Sequence, residues 1–376
     1  MIYVILLLAL VGIVLGAEWL VSGSVSIAKR LKVSEFVIGA AIVGVGTSMP
    51  ELVVSSIGAI GGNSDVAIGN VVGSNIFNIL AILGLTALIC PIPIDRKNMR
   101  FEIPLCIFVS ALLLFLAMNF FNGDVPVIGR VDGLILLAFF VLFIWYSMYR
   151  DRKESQHQST DSIENIPLTL PVIKVIGGLA LLIYSCDLFV DKAVAIAHQA
   201  GLSDAFISIT LIACGTSLPE LAASAAAAFR KNTQLALGNI IGSNIFNTLM
   251  ILGVTALIAP LAITKSNLKK DIPLNIIVTI LLIILGLNFT IFRIGSDQIS
   301  RIDGAILLLI FAWYLWSSFR SDNGDSDGEG IKEYKIGISI VLIIAGLAGL
   351  IFGGRVFVNA ATELAKAFGV SDKFIA

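Results

Sequence analysis

Two glutamates stand in nearly the same short sequence. Glu51 lies in GVGTSMPELVVSS (44–56) and Glu220 in ACGTSLPELAASA (213–225), 169 residues further on. A proline precedes each glutamate. Proline has no N–H, and its ring crowds the carbonyl four residues back. Pro50 therefore frees the carbonyl of Gly46, and Pro219 that of Gly215. Helical spacing puts Ser48, Glu51 and Ser55 on one face, and Ser217, Glu220 and Ser224 on its counterpart. Just downstream, AIGNVVGSNIFNILAILG (67–84) is answered by ALGNIIGSNIFNTLMILG (236–253). There Asn70, Ser74 and Asn78 align at i, i+4 and i+8, as do Asn239, Ser243 and Asn247. The two segments together offer carboxylates, amides, hydroxyls and freed carbonyls, all of them oxygen donors. Oxygen-only ligation suits hard cations; Ca²⁺ takes about 6–8 oxygens. Two carboxylates balance one divalent cation or a pair of monovalent ones. Two loads that share ligands compete, so one leaves as the other arrives.

The elements that position these groups are apolar helices. Of 376 residues, 57% are apolar and 14% charged, against about 45–50% and about 25% in a soluble domain. Mean hydropathy is +0.96. The chain reads as an all-α polytopic membrane protein. A spanning helix needs about 20 apolar residues. Candidate spans lie at 2–28, 36–60, 66–90, 101–121, 130–149, 171–199, 204–228, 235–260, 271–292 and 302–319, with an eleventh at 335–367. A carboxylate at the bilayer centre costs at least about 2.5 kcal/mol. Two of them, with no Lys or Arg in the same segments, need a cation or a proton. Gly69, Gly73, Gly84 and their counterparts Gly238, Gly242, Gly253 are expected to let helices approach closely. Glu18 and Asp187, in the first and sixth spans, are placed to line a gate or meet the interface between halves.

The repeat defines the organisation. Residues 1–149 form a first five-helix unit, 150–170 a polar linker and 171–319 a second five-helix unit. A polar linker at 320–334 and an extra helix at 335–376 follow; Ser371-Asp372-Lys373-Phe374-Ile375 echoes Ser34–Ile38 as the start of a third copy. An odd number of spans makes the second copy enter the membrane from the opposite side. Inverted repeats of this kind place a substrate site near the midplane, at the repeat interface. Lys and Arg are more numerous in loops after odd-numbered spans, as at Lys29, Arg30, Lys32 and Arg150, Arg152, Lys153. That bias puts the N-terminus outside and the 150–170 linker in the cytoplasm. The N-terminal apolar run lacks a basic leader and a small-residue cleavage site, so it is expected to be the first span rather than a signal peptide. The membrane is expected to be a plasma membrane.

Other chemistries are excluded by what the chain lacks. Net charge is −1, so no global field attracts nucleic acid. Two histidines and no GxxxxGK[ST] motif leave no zinc or triad site and no nucleotide-driven pump. The four cysteines sit in or beside apolar runs without a CxxC spacing and read as small buried hydrophobes. No cofactor is expected, and no enzyme: a serine nucleophile at Ser48 or Ser217 has no base beside it. The residues leave open exchange against Na⁺, exchange against H⁺ through the two glutamates, and passive conduction.

The paired GTS-PE and GNxxGSNIFN segments resemble the alpha repeats of the sodium/calcium exchanger family, within the calcium:cation antiporters. The resemblance covers residues 1 to about 320. It implies ten spans in inverted 5+5 order and exchange of Na⁺ for Ca²⁺ by alternating access. It further implies central Ca²⁺ ligands at Glu51 and Glu220, with the carbonyls of Thr47 and Thr216. Flanking Na⁺ sites would use Ser48, Ser74, Ser217 and Ser243 with the carbonyls of Gly44 and Ala213, and Asn78 and Asn247 would complete the ring. Several family members carry an acid where Asn247 stands; here both ring positions are Asn.

Overall fold

In the computed structural model, residues 2–95, 101–118, 126–155, 168–199, 213–287 and 297–322 are described. They fall in two units, Met1–Phe311 and Ala312–Ala376; of the second, only the end of one helix is described. The 320–334 linker beyond Asp322 and the expected extra helix at 335–376 lie outside the described residues.

The polar motifs break the helices where proline dictates. α1 (Ile2–Leu31) is continuous. The expected 36–60 span is instead α2 (Glu35–Ile38), a π-helical turn (Gly39–Val43) and α3 (Gly44–Thr47), followed after Ser48 by α4 (Met49–Ile60). The two halves bend by 46°. Ser48 (φ −83°, ψ 10°) carries the bend. Pro50 falls in the first turn of α4, where the missing N–H costs nothing. Ser217 (φ −90°, ψ 8°) repeats the break between a helical stub, Ala213–Gly215, and α10 (Leu218–Phe229).

α5 (Ser64–Phe77), a π-helical turn (Asn78–Leu83) and α6 (Gly84–Ile89) make one long rod. Its counterpart is α11 (Thr233–Phe246), a π-helical turn (Asn247–Ile251) and α12 (Leu252–Ile258). Both rods are 83% buried, against 17% for Arg130–Arg150, so the rods form the centre and the latter helix the rim. The rim helix α8 runs over Arg130–Ser155, past the expected end at 149, and α9 spans Thr169–Gln199. α7 (Ile103–Ala117), α13 (Ile272–Gly286) and α14 (Arg301–Asp322) complete the helices. Among the described residues five helices are long and apolar enough to cross a membrane, six counting the bent pair as one. Fewer than ten qualify partly because Ile103–Ala117 and Leu218–Phe229 are shorter, and 204–212 and 288–292 lie outside the described residues.

Glycines set the closest contacts. α1 and α9 cross antiparallel: Gly12 faces Ser185, Gly16 faces Gly178 and Leu182, and Gly23 faces Pro171. A Cβ on Gly16 would fall 2.6 Å from the Leu182 amide nitrogen. Gly238 and Gly242 pack on Phe36 and Ala40, while Gly84 meets Gly304 and Gly253 meets Gly133. A Cβ on Gly69 or Gly73 would meet nothing within 4 Å among the described residues; the segment that by the repeat would answer Phe36–Ala40 falls at 205–209, outside the described residues. Two short antiparallel ladders also link the halves: β1 (Ile92–Pro93) pairs with β4 (Gln298–Ile299), and β2 (Val127–Ile128) with β3 (Leu261–Ala262).

Candidate functional site

The two breaks meet at the centre and exchange hydrogen bonds. Ser48 Oγ donates to Glu220 Oε1 at 2.7 Å, and Ser217 Oγ to Glu51 Oε1 at 2.8 Å. Each serine of one half therefore holds the carboxylate of the other, although 166 or more residues separate the partners. Both glutamates are wholly buried. Ser217 Oγ also lies 3.1 Å from Ser74 Oγ, and Ser243 Oγ donates to the Gly44 carbonyl at 3.3 Å. Gly44 is glycine for a reason: a Cβ there would sit 2.9 Å from the Ser243 nitrogen and 3.0 Å from the Asn239 carbonyl oxygen.

Asn70 and Asn239 brace this centre. Asn70 Nδ2 donates to the Glu51 carbonyl (3.2 Å) and to Ser55 Oγ (2.9 Å), and its Oδ1 accepts from Thr216 Oγ1 (3.4 Å). Asn239 Nδ2 donates to the Glu220 carbonyl (3.2 Å) and to Ser224 Oγ (2.8 Å), and its Oδ1 lies 3.2 Å from Thr47 Oγ1, whose proton is shared with the Val43 carbonyl at 3.0 Å. The two amides thus fix each glutamate-bearing helix to the next rod and to the opposite break.

Asn78 and Asn247 each open a π-helical turn; such turns are frequent at functional sites. Asn78 Nδ2 donates to Asn244 Oδ1 (2.9 Å) and Asn247 Nδ2 to Asn75 Oδ1 (3.2 Å). Asn75, Asn244 and Thr248 were not singled out from the sequence. Their signal was present: Asn75 and Asn244 precede the ring asparagines by three residues, one helical turn, and Thr248 replaces the counterpart Ile79.

The oxygens left over define what the site can do. Glu51 Oε2, Glu220 Oε2, Asn78 Oδ1 and Asn247 Oδ1 are buried without a hydrogen-bond donor among the described residues. A buried polar atom without a partner costs about 1–3 kcal/mol, more when charged. All four are acceptors, and oxygen acceptors are the groups that a hard cation would require. Among the described residues no group of three or more His, Cys, Asp and Glu assembles, so neutral oxygens would have to complete any coordination shell. Of the expected site residues, Glu51, Glu220, Thr47, Ser48, Ser74, Ser217, Ser243, Asn78 and Asn247 are buried and Gly44 lies among them. Thr216 is half-buried, and Ala213 opens the stub before the second break. Glu18, expected at a gate or interface, pairs with the Arg230 guanidinium at the end of α10.

Fold and centre define a helical multi-pass membrane protein with a doubly acidic, oxygen-lined interior. The family model described as sodium/calcium exchanger protein matches residues 1–149 and 170–320. Sodium/calcium exchanger MaX1 of Methanosarcina acetivorans is 31% identical over 347 residues, covering 83% of this chain and 97% of its own. Inner membrane protein YrbG of Escherichia coli is 33% identical over 290 residues, covering 75% and 87%. A structure of the sodium-calcium exchanger NCX_Mj soaked with 10 mM Na⁺ and zero Ca²⁺ aligns with a TM-score of 0.72 at 31% identity, over 84% of this chain and 99% of that one. The chain belongs to the sodium/calcium exchanger family, a family of membrane transporters.

Proposed function

We propose that this protein exchanges Na⁺ for Ca²⁺ across a plasma membrane by alternating access, with the ions bound between two inverted five-helix repeats. The observation that carries the reading is the set of four orphaned acceptors: Glu51 Oε2, Glu220 Oε2, Asn78 Oδ1 and Asn247 Oδ1. Two carboxylates neutralise one Ca²⁺. The carbonyls of Thr47 and Thr216 would add neutral ligands to that central ion. Na⁺ would take the flanking positions, at Ser48, Ser74, Ser217 and Ser243 with the carbonyls of Gly44 and Ala213. Because Ser48 and Ser217 already touch the carboxylates, the two loads share a boundary, and that favours mutual exclusion over simultaneous occupancy. NCX_Mj structures soaked with Na⁺ and Ca²⁺, and with Na⁺ and Sr²⁺, support a cation substrate of this kind. The antiparallel crossing of α1 with α9, its counterpart in the second half, supports inversion.

Radiolabelled Ca²⁺ uptake tests the reading, in proteoliposomes loaded with Na⁺ and diluted into Na⁺-free buffer. The expected result is uptake that requires internal Na⁺ and disappears in Glu51→Gln and in Glu220→Gln, with both variants still inserted. Uptake that follows a pH gradient and ignores Na⁺ would move the protein to proton coupling.

A further inference from the structure

We infer that Thr248 and Asn75 are positioning residues that hold the amide of Asn247 with its oxygen toward the ion, and that Asn244 does the same for Asn78. The inference rests on the cation-binding reading above. An amide has two faces of opposite use: its oxygen ligates a cation, and its NH₂ repels one. Something must therefore fix which face is presented.

Two lines of hydrogen bonds do so, and each begins at a backbone carbonyl, which cannot reverse. In the first, Thr248 Oγ1 donates to the Asn244 carbonyl at 3.0 Å. A hydroxyl has one proton. With that proton committed, Thr248 can only accept, and Asn75 Nδ2 donates to it at 2.8 Å. Asn75 Oδ1 then faces Asn247, whose Nδ2 donates to it at 3.2 Å. Asn247 Oδ1 is left buried and without a donor among the described residues. In the second line, Asn244 Nδ2 donates to the Asn75 main-chain carbonyl at 3.2 Å. Asn244 Oδ1 then accepts a hydrogen bond from Asn78 Nδ2 at 2.9 Å, and Asn78 Oδ1 is left without a donor among the described residues. Asn75, Asn244 and Thr248 are all buried, so water does not compete for these bonds.

The two lines differ at one position. Ile79 stands where the repeat would put a second threonine, so only the Asn247 line runs through a hydroxyl. Were that hydroxyl turned to donate to Asn75, both amides in the line would reverse and Asn247 would present N–H to the ion. Removing one hydroxyl therefore disorients the Asn247 side and leaves the Asn78 line intact.

Thr248→Val tests this, with Thr248→Ser as rescue, Ile79→Val as a packing control, and Asn247→Ala alone and combined with Thr248→Val. One readout is the Ca²⁺ dissociation constant of the purified full chain, fitted from the dependence of its melting temperature on Ca²⁺ concentration. The other is Na⁺-driven Ca²⁺ uptake. Thr248→Val is expected to raise the half-saturating Ca²⁺ about tenfold with maximal uptake nearly unchanged. Thr248→Ser and Ile79→Val should match the unmodified protein, and adding Thr248→Val to Asn247→Ala should cost nothing further. Unchanged Ca²⁺ affinity in Thr248→Val, or a loss additive with Asn247→Ala, would overturn the positioning role while leaving exchange intact. Cation stabilisation that keeps this pattern while uptake ignores Na⁺ would support the positioning role and overturn Na⁺ coupling.

Discussion

Each buried carboxylate is held by a serine from the other half of the chain, and in the proposed exchange cycle this reciprocity would give the serines a double duty. Ser48 and Ser217 donate to Glu220 and Glu51, and their oxygens keep lone pairs for a small cation. A singly charged ion gains less from the carboxylates than a doubly charged one, so it depends more on neutral oxygens. Ser48→Ala and Ser217→Ala are therefore each expected to raise the half-maximal Na⁺ requirement about fivefold, roughly 1 kcal/mol, with a smaller change for Ca²⁺. Competition between the two ions in proteoliposome uptake reads both constants. Equal shifts for both ions would argue against flanking Na⁺ positions.

At the scale of the element, the helices bend and touch where small or ring-closed residues allow it. That proline disturbs the helix near each glutamate was legible in the sequence, but the break itself was not: 36–60 reads as one span, and the bends fall at Ser48 and Ser217, two residues before Pro50 and Pro219. The stripe Asn70, Ser74, Asn78 was legible from the 3.6-residue period. The position of Asn75, one turn before Asn78, was legible too, but its role was not, because its partners come from the second half and periodicity along one helix says nothing of a partner 172 residues away. The pairing of Glu18 with Arg230 was hidden for the same reason. The α1–α9 crossing gives a test of close approach. A Cβ on Gly178 would fall 2.6 Å from the Leu20 nitrogen, whereas on Gly177 its nearest neighbour is Trp19 at 3.9 Å. Gly178→Ala is expected to cost about 1–3 kcal/mol through forced separation of the backbones. Gly177→Ala is expected to be neutral or stabilising, since alanine favours the helix by about 1 kcal/mol. Melting temperatures of the two variants in detergent decide it; equal values would mean that the crossing yields without cost.

For the whole molecule, the contacts between halves come in exchanged pairs. β1 pairs with β4 while β2 pairs with β3; the Ile94 amide bonds the Asp297 carbonyl while that of Ile263 bonds the Pro126 carbonyl; Gly84 meets Gly304 while Gly253 meets Gly133. A two-fold relation produces this pattern: if residue i of one half touches j of the other, the counterparts touch in return. In the proposed arrangement of five spans per half, an axis in the membrane plane would put equivalent turns on opposite faces. Asn63 and Asn232 are such a pair, each at the start of a buried rod. The four cysteines are free thiols and can be replaced before single cysteines are introduced. Asn63→Cys is then expected to react with a membrane-impermeant maleimide added to intact cells. Asn232→Cys should react only after the membrane is opened, in line with the basic residues Arg230 and Lys231 beside it and the excess of positive charge on the cytoplasmic side. Labelling of both from one side would leave the exchanged contacts in place but remove inversion as the basis for alternating access, since two halves entering the membrane in the same sense cannot trade inward- and outward-facing roles.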